Sequence, residues 1–286
     1  MKYAFIRSHG GRVSRRCRAL SVSRGGYYAW RTRGESDRHR RDRELLTHIE
    51  HVHERSRQAY GAKKTWLELR ARGIACGKHR VARLRRQAGI EARRKRRFRV
   101  MVEHHYTAPA APNLVHRQFR VPAPDRVWVG DMTFIRTRAG FLHLAVLLDL
   151  YSRRIVGWAM GERPTLPLAL NALDMALLQR LPPAGLVHHT DQGPLYSAHA
   201  YRARLTGSGL EPSMSAKGNA YDNAVVESFF SSLKNELVHH CDFVTRDEAR
   251  AAIFDYIETF YNRQRRHQTL GYVSPMQFEQ MKVHPD

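Results

Sequence analysis

Three carboxylates and one ammonium in this chain have the types and spacing for phosphoryl-transfer chemistry. Asp131 closes the first apolar stretch of VWVGDMTFI, Asp191 follows the short apolar run of GLVHHTDQG, and Glu227 lies in AYDNAVVESFFSSLKNE, residues 220–236. Read at 3.6 residues per turn, Glu227, Phe230, Ser231 and Lys234 share one helical face, so a carboxylate and an ammonium lie two turns apart on it. Asp222 or Asn223 is the expected N-cap. Two divalent ions that activate an attacking oxygen and stabilise a leaving one need hard carboxylate ligands converging from different elements. Two strand-end aspartates and one helix glutamate meet that need, although carboxylates are common and spacing alone does not single these out.

The surrounding pattern supplies the elements. Strands are expected over 127–136, 141–150 and 154–160, joined by the turns TRAG and YSRR as hairpins. A helix is expected over 166–181, closed by Pro182 and Pro183, then a buried strand over 185–189, parallel to the first. A helix near 197–205, a short strand over 210–214 and the glutamate helix follow. Asp149, apolar-flanked near the end of the second strand, is a rival metal ligand; the reading preferred is that it fixes the tight turn through Ser152 or Arg153. Lys217, Gly218 and Asn219 form a loop before the glutamate helix, either closing over a ligand or merely connecting. A last helix is expected over 245–264, capped at Thr245, and the basic run after it is expected to pack on the core, with Arg263, Arg265 and Arg266 as further contacts to DNA.

Charge divides the chain. Of a formal +23, residues 1–120 carry 32 Lys and Arg against 9 Asp and Glu, while residues 121–286 are balanced at 17 each. Such an amino half reads as a binder of polyanions, most plausibly nucleic acid. Residues 1–33 read as a short helical unit broken at 21–23, either the second half of a helix-turn-helix or a hairpin with Tyr27, Tyr28 and Trp30 as its core. A charged hinge is expected over 34–43. Helices over 44–54, 60–73 and 78–89 then form a second helix-turn-helix pattern, with Arg80 and Arg83 as candidate DNA contacts. Arg85 and Arg86 are placed outward or along the flanks, and Val81, Leu84 and Ala88 inward. The run from Arg93 through Arg94, Lys95, Arg96 and Arg97 is the densest basic patch and suits phosphate contact without sequence readout. Prolines punctuate 101–124 as a linker. Three widely separated cysteines suggest neither a disulfide framework nor a Cys-rich zinc site. No stretch has the length of a membrane span, and the amino terminus lacks the apolar core of a signal peptide, so a cytoplasmic, nucleoid-associated protein without a membrane partner is expected.

The ordered blocks WVGDMTFIR, LAVLLDLYSRRIVGWAM, HHTDQGPLYS, SMSAKGNAYDNAVVESFFSSLKNE and FYNRQRRHQTLGYVSPMQFE resemble the bacterial insertion-sequence transposases with a retroviral-integrase-like DDE core, specifically their second-reading-frame (OrfB) product. The resemblance implies an α/β RNase H-like catalytic domain preceded by small all-α helix-turn-helix-like DNA-binding units. The divisions expected are 1–36, 37–100, the linker 101–124, a core over 125–240 and a carboxyl-terminal helix and tail over 241–286. It implies that Asp131, Asp191 and Glu227 are the catalytic, metal-binding triad, holding two Mg²⁺ or Mn²⁺ ions, and that Lys234 is a DNA contact. It implies cleavage and strand transfer at terminal inverted repeats and in target DNA, a first-reading-frame partner, and a homo-oligomer in the synaptic complex. Three positions depart from the pattern: Ser21 stands where glycine is usual, Gly130 where threonine is usual, and Pro194–Leu195 where serine and glutamine are common. Two other functions compete. A tyrosine recombinase would use RRHQTLGY and form a phosphotyrosyl adduct; a non-enzymatic DNA-binding regulator would derive from a transposase that has lost its activity.

Overall fold

The computed structural model describes residues 2–93, 111–116, 118–215 and 223–283. Arg94, Lys95, Arg96, Arg97, the Lys217–Gly218–Asn219 loop and Asp222 lie outside these residues.

The amino-terminal unit is three short helices, α1 (Lys2–Ser8), α2 (Val13–Ala19) and α3 (Arg24–Thr32). Ile6, Cys17 and Tyr27 form its core, with Tyr3 and Trp30 packed against them, so two of its three predicted aromatics are core while Tyr28 is exposed. Ser23 caps α3 by accepting from Gly26 N at 2.9 Å. Ser21 sits at φ +53, the left-handed region that glycine occupies without a Cβ penalty, which explains why glycine is usual there.

The second unit is α4 (Asp37–Arg55), α5 (Ala62–Ala71) and α6 (Lys78–Gln87) around Leu45, Ile49, Val52, Leu69, Val81 and Leu84. The expected charged hinge is instead the first turns of α4. Ser36 accepts from His39 N and Asp37 stands in the first turn, a capping signal that outweighs the charge density. Arg85 is the other correction. It is buried rather than outward and donates to Thr65 Oγ1 at 3.1 Å, whereas Ala88, beyond the helix end, is exposed.

The carboxyl-terminal part is built on a five-stranded sheet of β1 (Val127–Thr137), β2 (Gly140–Asp149), β3 (Ile155–Gly161), β4 (Val187–Thr190) and β5 (Glu211–Met214), in the order β3-β2-β1-β4-β5. The first three pair antiparallel as hairpins; β4 joins β1, and β5 joins β4, in parallel. Parallel pairing needs crossovers, and α7 (Leu166–Arg180) with α8 (Pro194–Ser197) and α9 (His199–Gly207) provide them on one face. The other face is covered by α10 (Ala224–Glu236) and α11 (Arg246–Asp255), the latter running into a π-helical turn over Tyr256–Tyr261 in place of one long helix. Thr245 caps α11 as expected, accepting from Glu248 N at 3.1 Å. This is the RNase H-like arrangement. The chain closes with α12 (Pro275–Val283).

Two ion networks hold the parts together. At the foot of the sheet Arg180 binds Asp125 and Glu279, and Arg154 also binds Glu279 at 2.8 Å. Asp149 is fully buried there and accepts from Ser152 N and Oγ and from Asp125 N, which fixes the β2–β3 turn as expected. At the end of α10, Glu236 accepts from Arg265 at 2.6 Å and from the Tyr256 hydroxyl at 2.8 Å. Next to this pair, Tyr60 donates to Gln264 O and accepts from Arg266 N, and Arg266 binds Glu68. Arg265 and Arg266 are therefore committed to carboxylates within the fold. Sequence patterning could not show this, because their partners lie far along the chain. Arg263 alone of the three is exposed.

Two stability changes are expected. Ser21→Gly relieves the left-handed strain and should stabilise the amino-terminal unit by about 0.5–1 kcal/mol in thermal unfolding. Arg265→Met leaves Glu236 buried without its cation and should cost about 3–5 kcal/mol in urea unfolding. The double change Arg265→Met with Glu236→Met should recover most of that loss; failure to recover would show that the pair itself, not the orphaned charge, supplies the stability.

Candidate active site

Asp131 and Asp191 are placed by strand register. In the parallel β1–β4 pair Val129 stands opposite His189, and each aspartate lies two residues beyond that rung. Neighbouring strands run about 4.8 Å apart, so the two side chains start side by side. Asp131 shares a face with Val129 and Ile135, which pack under α10.

Each carboxylate is oriented by backbone amides. Asp131 Oδ1 accepts from Met132 N at 2.7 Å, and Asp191 Oδ1 accepts from Gly193 N at 2.9 Å. A Cβ on Gly193 would lie 2.8 Å from that same Oδ1, so the glycine of TDQG lets the loop close around its aspartate. Gly130 has an equally specific reason. A Cβ there would come within 2.8 Å of the His188 ring, which fills the space a threonine would need. His188 is buried, bonds the Tyr201 hydroxyl at 2.9 Å, and is held neutral by burial with its pKa near 3. His189 lies between Ser213 and Ser215. Both histidines of HHTD thus support the strand that carries Asp191. Pro194 is accommodated at the start of α8, where its missing N–H costs nothing.

Glu227 stands in the first turn of α10, where the helix dipole favours a carboxylate, on the exposed side of the helix. Val226, Phe229 and Leu233 pack the helix onto the core on another side, and Phe230, three residues after Glu227, is buried at the edge of that contact. Asn223 occupies the N-cap position, but its side chain makes no capping bond. Lys234, two turns on, lies with its Nζ 5.4 Å from the centre of the Phe134 ring.

Electrostatics tie the four groups into one site. Burial pushes the Asp131 carboxyl up to about 8, the charges of Asp191 and Glu227 push the same way, and the Met132 amide and Lys234 oppose them. Burial also raises Glu227. Burial lowers Lys234, against the pull of Asp131. Tyr196, buried beside Asp131 and Asp191, stays a neutral hydroxyl. Crowded, desolvated oxygen donors with an excess of negative charge fit a hard divalent cation. Among the described residues, no group of three or more His, Cys, Asp or Glu stands in a ready-made metal cluster.

The structure also sorts the remaining candidates. Arg80 and Arg83 both clamp Asp42, at 2.6 and 2.7 Å, while still edging an open groove with Arg38, Arg41 and His79. Arg93 donates to Glu236 O at 2.9 Å and so docks on the end of α10. The recombinase alternative loses its constellation, since Arg265 and Arg266 are committed to Glu236 and Glu68 and His267 is buried against Tyr261. Lys64 and Arg153, half-buried cations beside α10, line a shared cleft, which the sequence did not indicate.

The raised Asp131 pKa has a consequence for stability. Its folded-state carboxyl binds the proton more tightly than the ordinary 3.8, so metal-free protein loses stability as pH rises from about 4 to about 8. Asp131→Asn removes that penalty. In EDTA at pH 8 it should unfold with a gain on the order of 1 kcal/mol or more over wild type, shrinking to nothing near pH 4. Identical melting curves at pH 8 would refute the strained carboxylate.

Comparisons with known proteins agree with this architecture. Residues 121–220 and 227–283 each match a family described as Integrase core domain, and residues 40–98 match an HTH-like domain. The chain is 43% identical over 284 residues to the transposase InsF for insertion sequence IS3A of Escherichia coli (strain K12), covering 98% of each. It is 47% identical to the insertion element IS600 uncharacterized 31 kDa protein of Shigella sonnei, over 92% of this chain and 97% of that one. Among solved structures, the simian T-cell lymphotropic virus intasome in complex with PP2A regulatory subunit B56 gamma aligns at TM-score 0.48 and 15% identity, over 79% of this chain and 73% of that chain. The HTLV-2 integrase catalytic core domain in complex with magnesium aligns at 0.44 and 18%, over 56% of this chain and 99% of that chain. The chain belongs to the family of insertion-sequence transposases that includes the IS3 transposase InsF.

Proposed function

We propose that this transposase cuts and joins DNA at insertion-sequence ends as a DDE polynucleotidyl transferase, with Asp131, Asp191 and Glu227 as the catalytic set. The observation that carries this reading is the shared rung of β1 and β4, with Glu227 and Lys234 reaching the same electrostatic field from α10. The three carboxylates would hold Mg²⁺ or Mn²⁺, two ions in the active form. Bound there, the metal supplies Lewis acidity for the attacking and leaving oxygens of an in-line displacement.

The chain's own groups do the positioning. Lys234 binds a phosphate beside the reacting one, held at its post by the Phe134 ring and the charge of Asp131. The Met132 and Gly193 amides orient one oxygen of each aspartate. Tyr196, buried beside the two aspartates, closes the floor against water. In cleavage, water oxygen bonds phosphorus and the 3′ oxygen leaves, taking up a proton. In strand transfer that 3′-hydroxyl becomes the nucleophile and a target 3′ oxygen leaves. No covalent enzyme intermediate is required.

Double-stranded DNA is the partner, both the terminal inverted repeats and the target. The basic run from Arg93 onward and the groove edged by Arg80 and Arg83 supply sequence-independent phosphate contact. The clamp on Asp42 means that phosphate must compete with a carboxylate for Arg80 and Arg83. The first-reading-frame product and a second copy of this chain complete the synaptic complex.

The test uses a labelled duplex ending in the element's own inverted repeat, with Mg²⁺ or Mn²⁺, and the first-frame product added in parallel. Wild type should nick at the 3′ end. Glu227→Gln, and wild type with EDTA, should fall to background while DNA affinity is kept. Nicking that survives Glu227→Gln would sink the triad, and binding without nicking under every condition would favour the regulator reading.

A further inference from the structure

A second site lies on the side of α10 turned away from Glu227. The helix-turn-helix-like module, the segment leading into β1, α10 and the carboxyl-terminal turns enclose a cleft of about 770 Å³. Lys64 comes from the module, Arg120 from the leading segment, and Arg153 and Arg265 from the catalytic part. Ser228 and Ser232, one turn apart on α10, add hydroxyls, and none of the described lining residues is a carboxylate.

The positive charge here is only partly compensated. Arg265 is neutralised by Glu236, but Lys64, Arg120 and Arg153 have no carboxylate partner among the described residues. Arg153 Nη2 donates to Phe119 O at 2.8 Å, while its Nη1 is buried with no hydrogen-bond partner. An unpaired buried guanidinium N–H is costly unless something occupies the cleft to accept from it. The same surplus field acts on its neighbours. Burial and the Arg265 charge bring the Lys64 ammonium down to about 8. Burial, with Arg265, Lys64 and Arg153, holds His267 far below its usual range.

We propose that this cleft is a phosphate-binding site in which Lys64, Arg120 and Arg153 bind the oxyanion, with Ser228 and Ser232 as further donors. Three cations from three parts of the chain fit the several oxygens of one phosphate, and two hydroxyls complete the donor set without adding charge. A phosphate seated there bridges the module and the catalytic part on the back of the helix that carries Glu227. That the phosphate belongs to DNA, as a non-reacting backbone group, rests on the function proposed above; free phosphate presents the same chemistry.

The experiment has two arms on the full-length chain. In the first, inorganic phosphate binding is followed by ³¹P line broadening for wild type, Lys64→Gln, Arg120→Gln and Glu227→Gln. Arg120 is exposed on an irregular segment, so its substitution leaves the fold intact. Wild type and Glu227→Gln should bind alike, and Lys64→Gln and Arg120→Gln should each weaken binding at least fivefold. No binding by wild type, or equal binding by all four, would overturn the site. In the second arm, duplex affinity is measured against salt. If DNA supplies the phosphate, each of the two substitutions lowers the log–log salt slope by about 1. Unchanged slopes beside lost phosphate binding would overturn the DNA assignment and identify free phosphate as the ligand. Because Glu227→Gln is scored for phosphate binding and nicking separately, failure of the triad and failure of this cleft read out independently.

Discussion

The parallel pairing of β1 with β4 is the constraint from which the candidate active site follows. Parallel neighbours run in the same direction from a shared rung, and a single rung, Val129 opposite His189, sets both aspartates level, Asp131 within β1 and Asp191 just past the end of β4. A slip of one residue would turn one carboxylate to the opposite face. The supports of this rung are correspondingly specific. His188 occupies the space above Gly130, His189 is bonded on both ring nitrogens, and β5 continues the parallel order beyond β4. The penalty of crowding anions in a desolvated place falls on Asp131, and the rest of the fold has to outweigh it.

Glu227 reaches this edge by a different route, through the seating of a helix. α10 is held at its far end by Glu236, whose partners Arg265 and Tyr256 come from the carboxyl-terminal segment, and whose carbonyl accepts from Arg93 of the amino half. Any force that shifts the module relative to the catalytic part is therefore applied to the end of the glutamate helix. Burial makes the Glu236–Arg265 pair hard to break one partner at a time, so α10, the π-helical turn and the 265–267 turn behave as one piece.

Most elements were legible because their signals are local. The apolar runs and hairpin turns of β1 to β3, the proline stop after α7 and the Thr245 cap each act within a few residues, and the blocks carrying Asp131, Asp191 and Glu227 are contiguous words. What was misread depended on partners distant in sequence. Arg265 and Arg266 look like solvent-seeking cations until Glu236 and Glu68 are seen beside them. Arg85 reads from the sequence as outward or flanking, yet it is buried and donates to Thr65. The hinge assigned over 34–43 failed for another reason: ten charged or small residues hid one capping serine, and capping decided. Asp149 was read correctly because its partner Ser152 is three residues away.

The imbalance of charge gives the two halves different tasks. Nine carboxylates face 32 cations in the first 120 residues. Several of those carboxylates are already spoken for: Asp42 by two arginines, Glu68 by Arg72 and Arg266, and Glu35 and Asp37 by one each. The remaining excess raises the free energy of the compact module through self-repulsion, and counter-ions or a polyanion must offset it. A duplex carries one charge per roughly 1.7 Å and releases condensed ions when it is neutralised. It can thus satisfy the module and fill the cleft behind α10 at once. The balanced catalytic half, by contrast, concentrates negative charge at one strand edge. On the function proposed above, a DNA that spans both halves would be drawn in by the first and would meet the carboxylates of the second across a divalent cation. Binding and chemistry would then be separated along the chain, with α10 as the element they share.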